Sequence, residues 1–124
     1  MRLLLDTHAL LWWLADEGLS PRARAAIADP DNLVAVSAAS AWEISIKKAL
    51  GKLAAPDDLD EQLRSGGFTA LPISIAHATA AGRLARHHED PFDRMLIAQA
   101  LSESLSIVTR DKRFDDYGVA LLPA

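Results

Sequence analysis

Apolar and polar positions fall into short alternating blocks along the chain. Leu3 to Leu5 is an apolar run that stops at Asp6 and predicts a buried strand, and Ala9 to Ala15 predicts a helix that is apolar all round. Ser20-Pro21 predicts a helix start, with Ser20 as N-cap and Pro21 at the first helical position, running to about Asp29-Pro30. Leu33 to Val36 predicts a second strand. A helix then opens at Ser37 or Ser40 and runs to Leu50, where Gly51 supplies the stop. Residues 57 to 65 predict a short helix, Phe68 to Leu71 a strand, Ser74 to about His87 a helix, and Asp93 to Ser104 another. Ser106 to Thr109 and Val119 to Leu122 close the pattern as strands. Strands alternating with helices predict the α/β class, with a parallel sheet covered on both faces.

Composition narrows the picture. At 124 residues the chain is expected to form one domain, residues 1–124, large enough to bury about two-thirds of its unfolded surface. Half the residues are hydrophobic and 24% are charged, which is a folding composition without low-complexity tracts or repeats. No cysteine is present, so disulfides and thiolate zinc sites are excluded and a reducing cytoplasm is the natural setting. The opening MRLLLDTHALLWWLA is a poor export signal, because Asp6 and His8 leave only ALLWWLA as an unbroken apolar run. No apolar stretch approaches the roughly 20 residues a membrane span needs, so a soluble protein is expected.

The acids change the reading. In open α/β sheets ligands gather outside the carboxyl ends of the strands. Asp6 follows the first predicted strand, Asp111 follows the strand ending at Thr109, and Glu43 and Asp93 lie early in helices. Four carboxylates from separated segments converging on one rim would repel and raise one another's pKa, and a hard divalent ion such as Mg²⁺ or Mn²⁺ is the simplest compensation. Each acid also has an ordinary structural use. Asp6 suits an N-cap, Glu43 sits four residues before Lys47, Asp93 suits a helix N-terminus, and Asp111 suits a turn.

Four stretches carry a more specific likeness: LLLDTHALLWW at 3 to 13, SAASAWEISIKKALGKL at 37 to 53, HHEDPFDRMLIAQAL at 87 to 101 and IVTRDKRFDDYGV at 107 to 119. In these the chain resembles a PIN-domain ribonuclease, most closely the VapC-type toxins of toxin-antitoxin pairs. The resemblance implies a three-layer α/β/α sandwich with a central, mainly parallel sheet of four to five strands. It implies a metal-dependent endoribonuclease using one or two Mg²⁺ or Mn²⁺ ions, a homodimer, and inhibition by a cognate antitoxin protein. By position it assigns Asp6, Glu43, Asp93 and Asp111 as catalytic metal ligands. Asp115 and Asp116 are alternatives for the fourth acid or contribute through water. Asp90 is expected to orient the His87-His88 loop or Arg94 with Pro91 fixing the turn, and Thr7 and Thr109 to hold waters beside ligand acids. The implied chemistry is in-line attack by water on an RNA phosphodiester, leaving 5′-phosphate and 3′-hydroxyl ends.

An acidic protein, at net charge −4, must still attract RNA. Lys47, Arg94, Arg110, Lys112 and Arg113 flank the acids and are expected to guide phosphates, with Lys48 clustered beside Lys47, while Lys52 reads as a solvated helix position. The four histidines match no zinc spacing and are expected to be structural or loop residues. Of Trp12 and Trp13, one is expected in the core and the other to anchor a dimer or an antitoxin helix. Two rivals stand beside the nuclease. A haloacid-dehalogenase-type phosphotransferase wants a second Asp two residues after the first, where this chain has His8. A catalytically silent PIN-like RNA- or protein-binding module would keep the fold without the chemistry.

Overall fold

The structure, a computed structural model, describes residues 1–124. Five strands form one sheet: β1 (Arg2–Leu5), β2 (Leu33–Ser37), β3 (Thr69–Leu71), β4 (Ser106–Thr109) and β5 (Leu121–Pro123). Their order is β3-β2-β1-β4-β5 and every pairing is parallel, with Leu4 opposite Ala35 on one side and Ile107 on the other. Six α-helices complete the chain: α1 (Thr7–Ala15), α2 (Pro21–Ala28), α3 (Ala38–Ala49), α4 (Leu59–Ser65), α5 (Ile75–Arg83) and α6 (Pro91–Glu103). A 3-10 helix spans Lys112–Tyr117.

Strand alternation sorts the core into two layers. Leu3, Leu5, Val34, Val36 and Val108 face one side and pack with residues of α1 and α2. Leu4, Ala35 and Ile107 face the other and pack against Leu96, Ile97 and Ala100 of α6 and against Phe114. β1 lies at the centre, and Leu3, Leu4 and Leu5 are all fully buried, as a continuous apolar run in a parallel sheet should be. This is the sandwich expected from the sequence, with all five strands parallel.

The helix starts follow their caps. Ser20, Ser37 and Ser74 each accept a backbone N–H from the first turn of α2, α3 and α5. Of the two serines that could open α3, Ser37 does so, and Ser40 is buried inside the helix. Trp12 packs where Gly18 leaves room, since a Cβ at Gly18 would fall 2.7 Å from the indole, and Gly18 also holds φ at +100°.

Several boundaries differ from expectation, and three matter most. α5 ends at Arg83 rather than near His87, so residues 84–90 form a loop. α6 starts at Pro91, with Asp90 rather than Asp93 at its head, because the Asp90 side chain accepts the N–H groups of Phe92 and Asp93. The last strand starts two residues later and ends one later than expected, since the 3-10 helix runs on to Tyr117 and Gly118 turns the chain at φ +67°. β5 can end in Pro123 because it is an edge strand. No helix is long and apolar enough to cross a membrane.

Candidate active site

From β1 the chain builds outward through β2 to β3, then returns to place β4 on the other side of β1. The carboxyl ends of β1 and β4 therefore flank the crevice at which the strand order reverses, the place where open α/β sheets bind ligands. Asp6 leaves β1 there and Asp111 leaves β4, while the early turns of α3 and α6 bring Glu43 and Asp93.

Asp6 is nearly fully buried. Its Oδ1 accepts the Ala9 N–H at 2.8 Å, capping α1, and its Oδ2 accepts the Thr109 hydroxyl at 2.6 Å. Thr109 Oγ1 in turn accepts the Asp111 N–H at 3.0 Å, so one hydroxyl ties two of the acids together. Burial pushes the Asp6 carboxyl above its ordinary range, against the pull of its hydrogen bonds. Glu43, also buried, accepts the Thr7 hydroxyl on Oε1 at 2.6 Å and the Lys47 ammonium on Oε2 at 2.5 Å.

Asp93 is where the acids meet. Its carboxyl is pushed up to about 7, first by burial and then by the negative charges of Asp90, Asp6, Glu43 and Asp111. Asp111 is opposite in character. Hydrogen bonds from the Arg113 side chain, the shortest 2.7 Å from Nη2, outweigh its burial and hold it down at about 2, with the Arg113 N–H, the guanidinium charge and His88 adding to the effect. The two carboxylates differ by environment, one crowded by like charge and the other paired.

His88 stands between them. Its Nε2 lies 3.2 Å from Asp111 Oδ2, to which it is hydrogen-bonded, and 2.9 Å from Asp93 Oδ2. Its Nδ1 accepts the Asp90 N–H at 3.2 Å, which assigns the ring proton to Nε2. His88 is almost fully buried, whereas its neighbour His87 is exposed and rests its ring against Tyr117. Sequence reasoning passed over His88 as a loop residue. The available signal was its position two residues before the Asp-Pro start of a helix that carries an acid in its first turn.

The remaining expected residues separate into two groups. Asp90 caps α6 and contacts His88 through its backbone N–H. Thr7 and Thr109 donate to Glu43 and Asp6. Asp115 and Asp116 are exposed on the 3-10 helix, and neither is among the charges that act on Asp93. The cations are largely committed inside the protein. Arg94 donates to the carbonyls of Ala81, Leu84, Ala85 and His88, which cross-links the loop before α6. Arg110 donates to the carbonyls of Ala124 and Gly18 and lies over the Trp12 ring at 4.0 Å. Lys47 holds Glu43 and Arg113 holds Asp111, and of the five only Lys112 is exposed without a side-chain partner. Trp13 meets Phe68 edge-on under Arg24, so both N-terminal tryptophans are half-buried against the core.

The PIN domain family matches residues 3–120. This chain belongs to the PIN domain family. Ribonuclease VapC22 of Mycobacterium tuberculosis is 36% identical over 118 residues, covering 89% of this chain and 87% of that protein. The fold also matches the VapBC structure from Salmonella typhimurium, solved bound to DNA, at TM-score 0.72 and 21% identity, covering 98% of this chain and 97% of that one. VapBC2 from Rickettsia felis, bound to a promoter DNA fragment, matches at TM-score 0.69 and 17% identity, with 98% of both chains covered.

Proposed function

We propose that this PIN domain is a metal-dependent endoribonuclease, the toxin of a toxin-antitoxin pair. The observation that carries the proposal is the convergence of Asp6, Glu43, Asp90 and Asp111 on Asp93, where burial first and then those negative charges push a half-buried carboxyl up to about 7 even with Lys47 and Arg113 close by. A cation among these oxygens relieves that repulsion, and hard carboxylate oxygens suit Mg²⁺ or Mn²⁺, as one ion or two. The ligands are Asp6, Glu43, Asp93 and Asp111. His88, with its proton on Nε2, acts as a donor that holds Asp111 beside Asp93.

A divalent ion bound here supplies Lewis-acid polarisation of the scissile phosphodiester and of the attacking water. The protein's own part is orientation. The Thr7 and Thr109 hydroxyls and the Ala9 N–H each occupy one lone pair of a carboxylate oxygen on Glu43 or Asp6, leaving the others free and the carboxylates fixed. Asp93 gives up its proton at neutral pH when a positive charge enters. Lys47, paired with Glu43 and attracted by Asp90 and Asp93 as well, holds the Glu43 carboxylate in place at the rim.

The 36%-identical ribonuclease supports RNA as the substrate, and the VapBC structures, alike in fold, support an antitoxin partner. The same reading gives a cytoplasmic homodimer restrained by that antitoxin. Incubating the purified chain with structured RNA in Mg²⁺ or Mn²⁺ tests the proposal. Cleavage that stops with chelator and returns with added metal is expected. A folded chain that binds RNA or a protein but cleaves nothing would instead favour the silent binding module.

A further inference from the structure

Asp111 differs from Asp6 and Glu43 in how little of its carboxylate is free. A carboxylate offers about four lone-pair sites. Asp6 accepts the Ala9 N–H and the Thr109 hydroxyl, and Glu43 accepts the Thr7 hydroxyl and the Lys47 ammonium, so each keeps room for an ion. At Asp111 the donors fill every site. Its Oδ1 accepts the Arg113 backbone N–H at 2.9 Å and the Arg113 Nε–H at 3.0 Å. Its Oδ2 accepts Arg113 Nη2 at 2.7 Å and His88 Nε2 at 3.2 Å, with Arg113 Nε again 3.2 Å away. No lone pair remains for a hard cation, which needs an oxygen to itself at roughly 2 Å.

One of these donors has to yield if Asp111 is to bind a metal ion, and the two side chains differ in freedom. His88 is almost fully buried and is fixed at its other ring nitrogen by the Asp90 N–H. The Arg113 side chain keeps 62% of its surface in water. It reaches back only two positions along the chain, within the first turn of the 3-10 helix that Asp111 caps, so the contact opens by side-chain rotation and leaves the sheet untouched. A guanidinium and a divalent ion at the same oxygens exclude each other by space and by charge. We propose that Arg113 is a built-in competitor for the Asp111 arm of the metal site: its guanidinium occupies the carboxylate in the metal-free protein and swings into solvent when a divalent ion binds. The inference rests on the metal-dependent reading of the acids and adds to it the residue that sets how much metal the site needs. A side chain that only contributed positive charge at the rim would matter no more than its neighbour Lys112, which is exposed and without a side-chain partner.

The test is Mn²⁺ binding to the full chain without RNA, followed by the electron-spin-resonance signal of the free ion, in wild type, Arg113→Met, Arg113→Gln and Lys112→Met. Both Arg113 variants are expected to bind Mn²⁺ about fivefold to twentyfold more tightly than wild type, since the ion no longer displaces a charge-assisted pair. Lys112→Met is expected to stay within about twofold, because an exposed charge is screened by solvent and salt. A second measurement follows the exchange itself. In nuclear magnetic resonance the Arg113 Nε–H signal, assigned by its absence from Arg113→Met, is expected to be protected from solvent exchange without metal and to lose that protection in saturating Mg²⁺. Mn²⁺ binding that is unchanged or weakened in both Arg113 variants, or an equal gain in Lys112→Met, would overturn the competitor while leaving the metal site intact. An Nε–H signal that stays protected in saturating Mg²⁺ would do the same. A folded wild type that binds neither ion would overturn both the competitor and the metal-dependent reading.

Discussion

His88 Nε2 lies 2.9 Å from Asp93 Oδ2 while donating to Asp111 Oδ2, so a single buried ring separates two carboxylates that come from different elements of the fold. Its other nitrogen is engaged by the Asp90 N–H, which fixes both the ring's orientation and its tautomer. The α6 cap, the ring and the acid pair are thus one connected unit.

Truncating that ring should be felt in the metal-free protein. His88→Ala leaves the Asp90 N–H without its acceptor and lets Asp93 and Asp111 face each other directly. A loss of about 1–3 kcal/mol in urea unfolding is expected. Added Mn²⁺ should recover more stability in the variant than in wild type, because the cation then supplies the only separation between the carboxylates. Unfolding midpoints equal to wild type without metal would show that the ring contributes nothing to holding the pair.

The pH dependence follows from the two unlike acids. Asp93 binds its proton more tightly folded, at about 7, than unfolded, near 3.8, so metal-free stability should fall as pH rises through that window. The linked change is up to about 4 kcal/mol, fully present as stabilisation only below about pH 4. Asp111, held at about 2, acts in the opposite sense, and its contribution is lost as pH falls from about 4 towards 2. Melting temperatures without metal should therefore peak on the acid side of neutral. With Mn²⁺ the metal-induced shift should grow between pH 5 and pH 8. A metal-free melting temperature that climbs steadily from pH 5 to pH 8 would contradict the assignment.

Arg94 provides a test of occupation. Its guanidinium serves four backbone carbonyls from two nitrogens, a geometry an ammonium does not reproduce. Arg94→Lys keeps the charge and should nonetheless cost about 1–3 kcal/mol, with the loop at 84–90 becoming more open to proteolysis. Full stability together with weakened RNA binding would instead show that Arg94 reaches the substrate.

The sheet was legible because its strands are short apolar runs ended by Asp6, Ser37 and Asp111, and the helices because Ser20, Ser37 and Ser74 cap them in the usual way. What was not legible depends on distant partners. Nothing local ends α5 at Arg83; residues 84–90 are held as a loop by Arg94 and by the Tyr117 hydroxyl, which donates to the Ala85 carbonyl. The same holds for His88 against His87, since which of two adjacent histidines turns inward is decided by Asp90, Asp93 and Asp111. At the acids, ordinary and functional readings are not alternatives. Asp6 caps α1, Glu43 pairs with Lys47 at i+4 and Asp111 caps the 3-10 helix, and those contacts are what orient the carboxylates into one crevice. The role of the cations was the least readable, because a flanking lysine or arginine looks the same in sequence whether it meets a phosphate or a carbonyl.

The most direct measurement is the cleavage rate of one structured RNA by wild type and by Asp93→Asn across a Mn²⁺ titration, with a chelator control. Asp93→Asn is nearly isosteric and removes the like-charge repulsion at its centre, so the metal-free variant should be folded and at least as stable as wild type. The account predicts that wild-type cleavage rises to saturation with metal and vanishes with chelator, and that the variant is slower by at least about a hundredfold at every concentration. Equal rates in the two proteins, or wild-type cleavage that persists in chelator, would contradict a metal-dependent site built around Asp93.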